Sequence, residues 1–135
     1  MRDLFKFMVL LLLFIELIWL FVPRDWAYFG HDMAAGWNGA GGVLSDEVYR
    51  IWSISYSVAL LVVYFALYNY IKWAPRALLV LVCIDLATTS FLGISVFTGF
   101  DLFLYKLILI CSGAVLAMAY FSDLKKDFVR KVGSA

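Results

Sequence analysis

Three charged side chains, Glu16, Asp85 and Lys106, lie well inside long apolar runs of this sequence, away from the first residues of each run. In a lipid environment, a charged side chain near a helix centre costs ~2.5–3.5 kcal/mol on insertion scales. Such residues are therefore kept where they have a partner or a function. They are the residues from which we expect any chemistry of this protein to come.

Glu16 and Lys106 are expected at similar depth. Glu16 lies six residues before the end of its apolar run and Lys106 five residues after Asp101, which gives roughly 9 Å and 7–8 Å at the rise of an α-helix. Lys106 also shares a helical stripe with Gly113 and Ala117, a small-residue spacing that favours close helix packing. We predict that this stripe faces other helices and that Lys106 pairs with Glu16. The alternative is that the long stem of Lys106 carries its ammonium group outward.

Asp85 is followed by Thr88 and Thr89 at i+3 and i+4, which places three polar side chains on one helical face. One interpretation is a proton or cation site with hydroxyl groups as ligands or relays. The other is a structural hydrogen-bond cluster, which is the commoner use of such residues.

Tyr56 and Ser57 are predicted on a neighbouring helix at the depth of Glu16. They are candidates for the same polar site as Glu16. However, aromatic and small residues at helical spacing serve packing more often than chemistry.

The segment between the first two apolar runs is rich in glycine and aromatic residues and contains Trp26, Trp37 and His31–Asp32. We predict a loop interface here. His31 is the only histidine, so the apolar runs contain no pair of histidines to ligate a haem. Neither a metal site nor a catalytic motif is found, and Cys83 and Cys111 form no C-x-x-C pair. We predict no cofactor beyond bound lipid, and an enzyme that acts alone is not expected.

Composition identifies the environment of these residues. Of 135 residues, 65% are hydrophobic, and the mean hydropathy is +0.93. A small soluble domain buries only about 60–70% of its chain surface, too little to hide this apolar area. Four runs approach the roughly 20 residues that a helix needs to span a bilayer, at about residues 4–22, 48–71, 77–96 and 102–121. We therefore predict an all-α integral membrane protein, a single-domain bundle of four transmembrane helices.

The distribution of basic residues predicts the orientation. Eight of the 11 Lys and Arg residues fall on one side of the predicted membrane, which places both termini in the cytoplasm. The long first loop, residues 23–47, is then extracytoplasmic, and residues 122–135 form a basic cytoplasmic tail. A plasma or inner membrane is the expected location.

Three functional hypotheses follow. The first is a non-catalytic accessory subunit that packs against other membrane proteins or itself. The second is a small oligomeric proton-coupled transporter or carrier that uses Glu16, Asp85 and Lys106. The third is a membrane enzyme that binds a lipid or quinone under the first loop. With a net charge of +1 the chain has no basic excess for binding nucleic acid.

Overall fold

The computed structural model describes residues 1–21, 46–89 and 99–130, and every regular element within these ranges is an α-helix. The prediction of an all-helical protein is therefore confirmed. A short helix lies within the segment that was predicted as a basic tail. The five helices are α1 (Arg2–Phe21), α2 (Asp46–Tyr68), α3 (Ala74–Thr89), α4 (Gly99–Phe121) and α5 (Lys125–Arg130).

Two stretches are long and apolar enough to cross a membrane, Ile51–Tyr68 in α2 and Leu102–Phe121 in α4. Their mean hydropathies are 1.8 and 2.1. A core helix of a soluble protein can be equally apolar, but it is mostly buried. Here only 33% and 28% of the residues in the two stretches are buried, so neither resembles the mostly buried core helix of a soluble protein.

The outward surface of α1 is also apolar. From residue 4 to residue 17 its exposed side chains recur every three or four residues along one face, and all five are large and apolar: Leu4, Phe7, Leu10, Phe14 and Leu17. Water would disfavour such a continuous stripe, because monomeric soluble proteins rarely expose large contiguous apolar patches. The face opposite to it is buried against α2 and α4.

The four longer helices pack as a ring of neighbours: α1 contacts α2 and α4, and α3 contacts the same two helices. The ring is densely filled where α1 begins, α2 gives way to α3, and α4 gives way to α5. We call this region the packed end. Its buried residues come from all five helices and include Phe5, Val9, Leu67, Ala74, Leu78, Ala119, Leu124 and Phe128.

The turn after α2 brings an aromatic ring to the packed end. Tyr70 has a φ of 55°, and the amides of Tyr70 and Ile71 donate to the carbonyls of Leu67 and Ala66. This is the pairing of a Schellman helix end, where glycine is usual because a side chain strains the left-handed conformation. Packing holds Tyr70 there, since its ring stacks on Phe5 at 5.6 Å between ring centroids.

Helix α5 closes the packed end. Phe128 makes edge contacts with Phe5 and Tyr70, at 5.9 Å and 5.4 Å between ring centroids. At the rim, the guanidinium group of Arg2 donates two hydrogen bonds to the carboxylate of Asp127, at 2.8 Å and 2.7 Å. The start of α1 and the helix near the C-terminus are thus held together.

Candidate functional site

A partly open cavity of about 150 Å³ lies between the four longer helices. Each helix contributes to its wall, and most of the contributed side chains are polar or aromatic. We call this part of the bundle the cavity region. Its lining residues are Glu16, Trp52, Ser53, Tyr56, Ser57, Leu60, Tyr64, Val82, Asp85, Tyr105, Ile108, Leu109 and Ser112.

Helices α1 and α3 each place a carboxyl group at the cavity. Glu16 is 3% exposed, and it follows Ile15 on the side of α1 that turns toward the neighbouring helices. Asp85 is half-buried in α3. Because α1 and α3 are both held by α2 and α4, the ring geometry brings these two acids to one space.

Helix α2 supplies six of the 13 lining residues, more than any other helix, because its polar and aromatic residues repeat at helical spacing. Trp52 and Tyr56 are one turn apart, and their rings stack with centroids 6.1 Å apart at an angle of 26°. The hydroxyl of Tyr56 donates to the carbonyl of Leu81 at 3.2 Å, which ties α2 to α3 one turn before Asp85. Tyr56 is also close enough to interact electrostatically with both Glu16 and Asp85.

A hydrogen bond across the ring lies on the side of the cavity nearer the packed end. The hydroxyls of Tyr64 in α2 and Ser112 in α4 are 3.4 Å apart, and either can be the donor. Both residues are buried. Tyr105, two turns earlier in α4 than Ser112, adds a further ring to the wall and interacts electrostatically with Asp85.

Four of the predicted polar residues, Glu16, Asp85, Tyr56 and Ser57, line this one cavity. Thr88, also predicted as part of this polar site, is not among the residues that line the cavity. Its hydroxyl donates to the backbone carbonyls of Ile84 and Asp85, at 2.9 Å and 3.1 Å, which is the usual local bond of a threonine within a helix. The side chain of Thr89 lies outside the described part of the structure.

The position of Lys106 in the structure differs from the predicted one. Its side chain is exposed on the same outward face as Gly113 and Ala117, whereas Glu16 is buried. The reason is that α4 packs against the other helices through a different stripe, which contains Leu104, Cys111, Val115 and Ala119. Lys106 is two residues after Leu104, about 200° around the helix. The predicted inward pairing with Glu16 is therefore replaced by the outward alternative.

The predicted loop residues Trp26, His31, Asp32 and Trp37 lie outside the described residues. Conversely, three residues that line the cavity were not predicted from the sequence: Trp52, Tyr105 and Ser112. A signal for the latter two was present: Tyr105 and Ser112 are seven residues apart, which places them on one helical face with Ile108.

Within the described ranges, no group of three or more His, Cys, Asp or Glu side chains is placed to hold a metal ion. No family model matches the sequence, and neither a curated protein nor a solved structure shows significant similarity to it.

Proposed function

We propose that this chain is a four-span membrane protein that binds a cation in its internal cavity and acts as a small carrier. The observation that carries the proposal is the convergence of Glu16 and Asp85, from two helices that are not sequence neighbours, on one cavity. Intramembrane acids that face a bundle interior commonly mark substrate or ion pathways. Serine and tyrosine hydroxyls around them offer oxygen atoms to a cation that has lost water.

Four spans are supported by apolar outward surfaces on all four longer helices. Besides the faces of α1, α2 and α4, helix α3 exposes Leu79, Val80 and Leu86. Lipid is the solvent that accepts such a surface on every side. The described part of α3 is 16 residues long, and the predicted span extends it to about residue 96.

The cytoplasmic position of both termini is supported by the basic residues at the packed end. Arg2 meets Asp127 there, and the ammonium group of Lys6 lies over the rings of Tyr68 and Tyr70, 5.4 Å and 5.8 Å from their centroids. Because Lys and Arg near helix ends favour the cytoplasmic side, we assign the packed end to the cytoplasm and the cavity region to the outer half.

The test is transport by the protein reconstituted in liposomes. Uptake of H⁺, Na⁺, K⁺ and tetramethylammonium is measured for the wild type and for Glu16→Gln and Asp85→Asn, which keep the side-chain shape and remove the charge. We expect one of these cations to be transported and both substitutions to abolish its uptake. The matched control is Asp123→Asn, whose carboxylate is 93% exposed. Flux that survives both cavity substitutions would contradict the proposal.

A second candidate function, an accessory subunit, is favoured by the outward face of α4. Lys106 is exposed there among apolar residues, and a Cβ added to Gly113 would meet nothing within 4 Å. Both features suit a partner helix that offers an acid and approaches closely. Gly113→Leu should then release the partner during purification from native membranes, whereas Val58→Leu on the exposed face of α2 should not. Purification solely as a monomer in mild detergent would count against this function.

A further inference from the structure

We infer that the cation bound in the cavity is a small organic ammonium ion with apolar substituents on nitrogen. This inference rests on the proposed function and names the substrate class of the same site. It follows from the size of the cavity and from the kind of surface that surrounds the two acids.

The size of the cavity exceeds the needs of a bare ion. A space of about 10–15 Å³ holds one water molecule, and an apolar cavity of about 150 Å³ holds benzene. The cavity of this protein has a volume of about 150 Å³. A small metal ion would fill a minor part of it, whereas an ammonium ion with several methyl groups approaches the size of benzene and fills it.

The walls match such an ion in two ways. Trp52, Tyr56, Tyr64 and Tyr105 all line the cavity, and aromatic faces attract a cation whose centre lies within about 6 Å of the ring. Leu60, Val82, Ile108 and Leu109 provide apolar contact for alkyl groups. A cation with a carbon surface uses both kinds of wall, while a strongly hydrated metal ion gains little from either.

The acids then supply the charge balance. Glu16 and Asp85 reach the cavity from helices that do not follow one another in sequence, and Tyr56 lines it with them. A quaternary nitrogen cannot donate a hydrogen bond, so it is recognised by charge and by aromatic faces rather than by directed bonds. Trp52 and Tyr56, which stack on each other, supply two of the four aromatic rings of that wall.

The direct test is calorimetric titration of tetramethylammonium into the full chain in lipid nanodiscs. We expect saturable binding to the wild type and none of tert-butanol, a neutral molecule of similar shape. Trp52→Leu should weaken binding by about tenfold and Trp52→Phe by less, because phenylalanine keeps an aromatic face. Trp73→Leu is the matched control, since Trp73 is 48% exposed and does not line the cavity.

The outcomes separate this inference from the proposed function. Binding of tetramethylammonium that is weakened by Trp52→Leu and by Asp85→Asn supports both. Saturable binding of Na⁺ or K⁺ that needs Asp85, without binding of tetramethylammonium, overturns the organic cation and leaves the carrier. Absence of any cation binding, together with flux that is unaffected by Glu16→Gln and Asp85→Asn, overturns both. Circular dichroism of each variant excludes misfolding as the cause of a loss.

Discussion

At the packed end, Phe5, Leu67 and Leu78 are fully buried. Eleven residues further along α1, roughly 16 Å at the rise of a helix, Glu16 faces a cavity of about 150 Å³. The same helices thus form a filled apolar core at one level and a polar space at another. We expect the packed end to supply most of the stability, whereas on the proposed function the cavity region lacks tight packing because it has to admit a cation.

The largest effect is expected from truncation of an aromatic ring at the packed end. Phe5 is 0% exposed and contacts the rings of Tyr70 and Phe128. Phe5→Ala should lower the free energy of unfolding by about 3–5 kcal/mol, the usual cost of such a truncation in a core. The measurement is denaturant unfolding in detergent micelles. Phe7→Ala is the control, because Phe7 is 62% exposed on the same helix, and equal losses for the two variants would contradict the assignment of a packed end.

The next largest effect is expected from enlargement of a buried side chain, which should destabilise the packed end but not the cavity region. Ala66 at the packed end is 2% exposed and Ser57 at the cavity is 4% exposed, both in α2. Ala66→Leu should destabilise the protein by about 1–3 kcal/mol, because extra atoms in a filled core force neighbours to move. Ser57→Leu should cost little, since the added atoms enter the cavity, and it should abolish cation binding. A large loss of stability for Ser57→Leu would show that the cavity is not open to its side chain.

Removal of one tyrosine hydroxyl should affect stability differently in the two regions. The hydroxyl oxygen of Tyr70 is buried and has no hydrogen-bond partner within the described residues, whereas that of Tyr64 is bonded to Ser112. Tyr70→Phe should therefore leave stability unchanged or raise it by up to ~1 kcal/mol, and Tyr64→Phe should lower it by about 0.5–1.5 kcal/mol. The same unfolding titration measures both. A loss for Tyr70→Phe equal to that for Tyr64→Phe would mean that the Tyr70 hydroxyl has a partner in solution.

Much of the helical framework could be predicted from the sequence because apolar runs long enough to span a bilayer have few alternatives to a helix. Glu16 and Asp85 could be chosen as candidate residues by the same physics, since acids in apolar runs are costly. Their convergence on one cavity could not be predicted, because it depends on how the helices are arranged around the ring.

The sequence was a weaker guide to which face of each helix packs against its neighbours. In α4 two adjacent stripes both contain small residues, one with Gly113 and Ala117 and one with Cys111 and Ala119. Spacing alone does not choose between them, and the structure packs the second. Because Lys106 lies on the first stripe, it faces outward. Helix α5 was missed because it is six residues long, although Leu124 and Phe128 have the spacing of one apolar face.

The smallest effect is expected at the rim of the packed end, where Arg2 and Asp127 form a bidentate ion pair. The side chain of Arg2 is 69% exposed, so water and salt screen the pair and its contribution should be small. In a double-mutant cycle, Arg2→Ala and Asp127→Ala should show a weak favourable coupling at low salt that disappears at about 1 M salt. Phe128→Ala should lower stability far more than either substitution, because the ring of Phe128 lies in the packed end and the ion pair lies at its edge. A coupling that persists at high salt would instead make the ion pair, rather than the aromatic contacts, the main link between α1 and α5.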